Sequence, residues 1–101
     1  MSDNRIVAGT VDADAKIKNG SGFSVSRTST GHYQVSFRPA FHNVSGASVT
    51  QVYPEGSTLD NAVIISLSNT DLFLQVGNVS GKNENRDFSF VAVGVGTQDA
   101  K

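Results

Sequence analysis

"NGSGFSVSRTSTGHYQVSF", residues 19–37, reads as a β-hairpin. Phe23 and Val25 alternate with small polar residues in the first half, and Tyr33, Val35 and Phe37 do the same in the second. A period of two is the mark of a half-buried strand, because successive side chains point to opposite faces. Ser29, Thr30 and Gly31 lie between the two runs and have the chemistry of a turn. The second face of the hairpin carries His32, Gln34, Ser36 and Arg38, polar as a solvent-facing surface should be.

The same period extends outwards in both directions. "RIVAGTV" (5–11) is a strand, and the polar link "DADAKIKNGSG" (12–22) joins it to the hairpin. Further strands are expected over 47–53, 62–68 and 71–77, with the Ser-Asn-Thr-Asp turn between the last two, and over 87–95. Pro39 has no N–H for a ladder and belongs at a strand end or an edge. "NVSG" occurs at 43–46 and again at 78–81, and both copies read as turns. Helical periodicity is absent. The expectation is an all-β fold, an antiparallel β-sandwich of six to seven strands. It forms a single domain over 5–96, with polar tails at 1–4 and 97–101.

Composition narrows the function classes. A chain of 101 residues makes one domain with one modest core. A net charge of −1 gives no general attraction for DNA or anionic lipid, so no nucleic-acid partner is expected. Without cysteine there is no disulfide and no thiolate metal site. No apolar run approaches the roughly 20 residues of a membrane span, and no basic-then-apolar leader is visible. Neither membrane insertion nor a classical signal peptide is expected.

The closing strands break the alternation of the hairpin. Phe88, Phe90 and Ala92 share one face of the last strand, and Val91, Val93 and Val95 the other. Val63, Ile65 and Leu67 oppose Ile64, and Leu72, Leu74 and Val76 oppose Phe73. A small sandwich has one interior, so the second apolar set has no place inside it. Burying each such side chain is worth on the order of 1.5–3 kcal/mol. Left in water, they would form the kind of patch that marks a partner surface. Like subunits are therefore expected to cover this face for one another.

The motifs "GTVDAD" (9–14), "GSGFSVSRTSTGHYQVSF" (20–37), "AF" (40–41), "SVTQV" (48–52) and "DFSFVAVG" (87–94) together resemble a module found at the ends of phage tail fibres and of bacterial collagen-like proteins. The resemblance covers about residues 5–96. The opening "RIVAGTVD" (5–12) and the apolar last strand are also similar to the layout of the H-type lectins. Both resemblances imply a homotrimer, located on a virion tail fibre or at an extracellular surface. In the lectins an aromatic–His pair and an Arg grip the sugar, whereas the corresponding positions here hold Gly77, Asn78 and Ala62. The resemblance therefore implies the architecture and not the sugar contacts.

Candidate contacts come from two loops. Lys82, Asn83, Glu84, Asn85, Arg86 and Asp87 offer donors and acceptors between two firm strands, as binding loops often do. The competing reading is a solvated loop with internal ion pairs of little worth. "YPEGSTLDN" (53–61) sets Tyr53 beside Glu55 and Asp60. A tyrosine can stack on a sugar while its hydroxyl bonds outward, or it can simply close a strand end.

Metal and enzyme signals are weak. His32 and His42 lack a clear third ligand, and Asp12 and Asp14 are followed by Lys16 and Lys18 where a calcium loop needs oxygens. No metal or cofactor is expected. "NVS" at Asn43 and Asn78 fits chance in an Asn- and Ser-rich chain. No serine has a nucleophile-elbow context, and "NGSGFS" lacks the spacing of a nucleotide loop, so no enzyme is expected. The expected function is a receptor-binding or adhesion module for cell-surface glycan. The alternative is a trimerising cap of a fibre or collagen-like stalk, and a free toxin-like or defence lectin is a third reading.

Overall fold

The computed structural model describes residues 3–97. Eight strands form two four-stranded antiparallel sheets, and no residue among those described is helical. The strands are β1 (Asp3–Val11), β2 (Ile17–Gly20), β3 (Phe23–Ser29), β4 (His32–Phe37), β5 (Asn43–Gln51), β6 (Asn61–Leu67), β7 (Asp71–Gly77) and β8 (Phe88–Gly96). One sheet has the order β2-β1-β8-β5 and the other β3-β4-β7-β6. The two enclose a single core. Phe23 meets Phe90 edge-on at 4.8 Å between ring centroids, Tyr33 lies 4.9 Å from Phe88, and Leu72, Leu74 and Val76 are fully buried beneath them.

The count is eight strands rather than six or seven. The additional strand, β2, lies in the segment expected to be a polar link. One carboxylate oxygen of Asp12 accepts the N–H groups of both Asp14 and Lys16 at 2.9 Å, an Asx-type turn that folds Ile17–Gly20 back onto β1. All four residues of β2 are exposed, so the strand carries no apolar alternation to read. β5 begins at Asn43, four residues before its expected start, and a bulge between Val44 and Gly46 breaks its period. The first "NVSG" therefore lies in a strand, and only the second makes a turn. Asp3 and Asn4, expected in a tail, belong to β1, while residues 1–2 and 98–101 of the expected tails lie outside the described residues.

β6 also reverses an expected phase. A bulge between Ile64 and Ser66 leaves Ile65 unpaired. Ala62, Ile64 and Leu67 consequently pack on the core, while Val63 and Ile65 are 52% and 54% exposed. The expected division, with Ile64 outward and Val63 and Ile65 inward, is corrected by that one additional residue. In β8 the expected division holds, with Phe88, Phe90 and Ala92 buried and Val91 and Val93 exposed, but β8 lies in the other sheet from β6 and β7, so the single outer apolar face expected of these strands is divided between the two sheets.

Gly31 fixes the hairpin to the rest of the molecule. Its φ is +71°, in the left-handed region, and a Cβ there would lie 2.6 Å from the Val76 carbonyl oxygen and 2.9 Å from the Glu84 nitrogen. The Gly31 carbonyl accepts from Val76 N–H at 2.7 Å, and its own N–H donates to the Asn85 side chain at 2.8 Å.

Asp71, at the start of β7, accepts from Gln34 Nε2 at 3.0 Å and Ser36 Oγ at 2.7 Å. These bonds, with a further one from Thr70, hold its carboxyl below the ordinary aspartate range. A carboxyl depressed by folding adds stability above its unfolded pKa, and that stability is lost as pH falls through the folded value. Asp71→Asn is therefore expected to lower the melting temperature at pH 7 and to flatten its fall between about pH 5 and pH 3. The loss at neutral pH is on the order of 1 kcal/mol, as the site is partly solvated. Thermal melts of both proteins across that range measure it, and parallel curves would contradict the assignment.

Candidate functional site

At one end of the sandwich the chain leaves β5, turns through residues 52–60 and enters β6. Pro54 and Glu55 occupy the centre of a tight turn closed by Gly56 N–H on the Tyr53 carbonyl at 2.9 Å. Asp60 caps the next turn, its Oδ2 accepting from Ser57 N–H at 2.8 Å. Between this loop and the ends of β5 and β6 lies a cleft of about 420 Å³, lined by Thr50, Gln51, Tyr53, Ser57, Thr58 and Asn61 among others.

A buried clamp supports the cleft from below. Arg86 Nη1 lies 3.3 Å from both Asp60 Oδ1 and Gln51 Oε1, and its Nη2 lies 3.8 Å from Glu84 Oε1. The guanidinium carbon sits 3.7 Å from the centre of the Tyr53 ring, a cation–π contact that occupies one face of that ring. The side chains of Arg86 and Asp60 are only 12% and 5% exposed, so the pair is shielded from water. Gln51 extends the clamp with its Nε2, which donates to the carbonyls of Asn61 and Gly77 and ties β5 to β6 and β7.

Tyr53, Asp60, Glu84 and Arg86, distant in sequence, thus converge. Arg86 does not line the cleft; it holds Tyr53 and Asp60, which do. The remaining candidates disperse. Asn83 Oδ1 accepts from Gln75 at 2.6 Å, Asn85 Oδ1 from Gly31 N–H, and Asp87 takes the Ala13 N–H at 2.9 Å and Lys18 Nζ at 3.0 Å. Glu84 also accepts from Asn78 at 2.8 Å. Residues 83–87 act as a belt that joins the hairpin turn, β7 and the 12–18 segment. Glu55 and Lys82 are exposed and form no ion pair among the described residues.

Sequence reasoning missed Gln51, which looked like one more polar position at a strand end. Tyr33 belongs to the core, where burial raises its phenol pKa and its hydroxyl donates to the Ala13 carbonyl at 2.8 Å. His32 lies at the Gln75 end of β4, whereas the His42 backbone bonds at the β6–β7 turn, the opposite end of that sheet. Among the described residues no three or more His, Asp or Glu gather as metal ligands.

What the cleft offers chemically is a half-exposed phenol, the hydroxyls of Thr50, Ser57 and Thr58 and the amide of Asn61, over a floor that carries no free charge. That set can exchange hydrogen bonds with a hydroxyl-rich neutral ligand. Both oxygens of Asp60 are engaged. Comparison with known protein families, with curated proteins and with solved structures finds no match to this chain.

Proposed function

We propose that the chain is a non-enzymatic, homotrimeric receptor-binding or adhesion module that recognises cell-surface carbohydrate, at the tip of a virion tail fibre or on another extracellular surface. The observation that carries this reading is the cleft above the Tyr53–Arg86–Asp60 clamp, a hydroxyl- and amide-lined hollow whose one carboxylate, Asp60, is paired with Arg86. The contacts are Tyr53 with the Ser57–Asn61 segment, rather than the whole 82–87 loop, most of whose side chains bond to their own chain.

Trimerisation is supported by the outer face of the β2-β1-β8-β5 sheet. Ile6 is 63% exposed and stands directly opposite Val93, which is 41% exposed, with Ala8 opposite Val91 in the next outward pair. β5 and β8 contain no charged residue, the two described in β1 are Asp3 at its end and buried Arg5, and edge strand β2 carries Lys18, which pairs with Asp87. Depletion of charge with retained apolar area characterises the core of an interface. Three weak sites on one rigid assembly gain avidity when a ligand-bearing surface spans them.

A glycan array and whole bacterial cells test the proposal. The wild-type chain is expected to be retained, and Thr58→Tyr, which fills the cleft from an exposed position, to lose about tenfold in retention. No retention at high protein concentration, or retention indifferent to Thr58→Tyr, overturns it. The second reading, a structural trimerisation or capping domain, is favoured by the belt of residues 83–87, whose polar groups are consumed internally. An intact trimer that retains no glycan and no cells is what that reading expects.

A further inference from the structure

Two bulges on the outer face of the β3-β4-β7-β6 sheet form a second candidate site, distinct from the cleft and independent of the carbohydrate reading. Between β3 and β4 the register passes from Arg27↔Tyr33 to Ser29↔His32, which leaves Thr28 without a partner. Between β6 and β7 it passes from Ile64↔Leu74 to Ser66↔Phe73, which leaves Ile65 without one. The two irregularities sit on the two edge strands at adjoining steps, one on either side of the Tyr33–Leu74 pair of the regular β4–β7 centre. An additional residue kinks its strand and re-aims a side chain. Thr28 and Ile65 thereby become the two ends of a hollow of about 330 Å³, whose remaining lining is His32, Tyr33, Ser66, Phe73 and Leu74.

The dimensions and chemistry restrict the occupant. Four strands at about 4.8 Å spacing give a groove roughly 14 Å long. Its volume falls at the small end of the range for small-molecule sites. Tyr33 and Leu74 in the lining are core residues, while Phe73 is half-buried and Ile65 is 54% exposed, so the surface offered to water is apolar. None of the lining residues is acidic, Lys or Arg, which leaves nothing to hold an ionic ligand. His32 sets the polarity of the rim. Its Nδ1 lies 3.1 Å from the Thr30 carbonyl, which can only accept, and 3.0 Å from Ser29 Oγ, which can do either. Both neighbours are satisfied when Nδ1 carries the proton, and Nε2 is then an acceptor.

We propose that this groove binds a neutral, flat ring with one hydrogen-bond donor, an indole-like group that lies on Phe73 and Ile65 and donates to His32. The outer face that carries Ile6 and Val93 is on the opposite sheet, so self-assembly through that face leaves the groove open.

Two-dimensional amide NMR of the full chain, titrated with indole, tests the assignment. Saturable shifts are expected at Thr28, His32, Ile65 and Phe73, with a dissociation constant on the order of 1 mM, as befits a fragment of this size. Ile65→Ser is expected to weaken binding about fivefold and N-methylindole, which lacks the donor, to bind correspondingly less well. Should Ile65→Ser perturb the fold, visible as loss of the native spectrum, His32→Phe provides the same test from the polar side. The absence of saturable shifts, or shifts unaffected by these substitutions, overturns the site. Equal binding of indole and N-methylindole overturns the role given to His32.

Discussion

Arg86→Met is expected to lower the thermal midpoint by about 15 °C, corresponding to a loss of about 3 kcal/mol. The reason lies in what remains behind. Among the described residues Arg86 is the sole cation on Asp60, whose side chain is 5% exposed, and it also satisfies Gln51 and covers the Tyr53 ring. Removing it strands a shielded carboxylate. Breaking a buried pair from one side costs more than the pair contributes relative to an apolar replacement, since the desolvated charge has no compensation. Arg86→Met with Asp60→Asn removes that charge and keeps an acceptor for Ser57 N–H. The double variant is expected to recover part of the loss, with a coupling of about 1–3 kcal/mol in a double-mutant cycle. Thermal melts followed by circular dichroism measure all three proteins. A loss below about 1 kcal/mol for Arg86→Met would place the clamp among ordinary surface pairs.

Val93→Lys is expected to convert the assembly into single chains without unfolding them. Val93 lies on β8, which is flanked by β1 and β5, and stands opposite Ile6 on the outer surface of the sheet. In the proposed trimer each copy of this valine is covered by a neighbour, so the substitution buries three ammonium groups with no acidic side chain on that face to receive them. Each costs several kcal/mol after relaxation, more than the roughly 1.5–3 kcal/mol contributed by a buried valine. Within one chain the position is 41% exposed, and a long side chain is tolerated there, so the far-ultraviolet spectrum stays native. Ser26→Lys, on the exposed outer side of β3, serves as the control and leaves the mass unchanged. If Val93→Lys retains the wild-type mass, the face is not the interface.

Much of the fold was legible because the contrast between faces was strong. Phe23, Val25, Tyr33, Val35 and Phe37 set the hairpin register directly, and the structure pairs Phe23 with Phe37 and Val25 with Val35. β2 was hidden because a fully wet edge strand carries no period, and the phase of β6 was misread because one bulged residue, Ile65, offsets the remainder of the strand. A period-two reading assumes an unbroken ladder and fails wherever one residue is added. The clamp was half legible. Tyr53, Asp60, Glu84 and Arg86 were all singled out, but as ligand groups. Arg86 reaches Asp60 across 26 residues and Gln51 across 35, separations that no local pattern encodes. A polar loop has the same composition whether its donors face a ligand or bond to its own chain, and the belt from Asn83 to Asp87 does the latter.

Static light scattering of the unmodified full chain, across a range of micromolar concentrations, tests the central claim most directly. Three chains of 10.6 kDa give about 32 kDa, the mass expected if like subunits cover Ile6, Val91 and Val93 for one another. A constant 10.6 kDa at every concentration would mean that this apolar face stands in water by itself, and the assembly proposed for it would be contradicted.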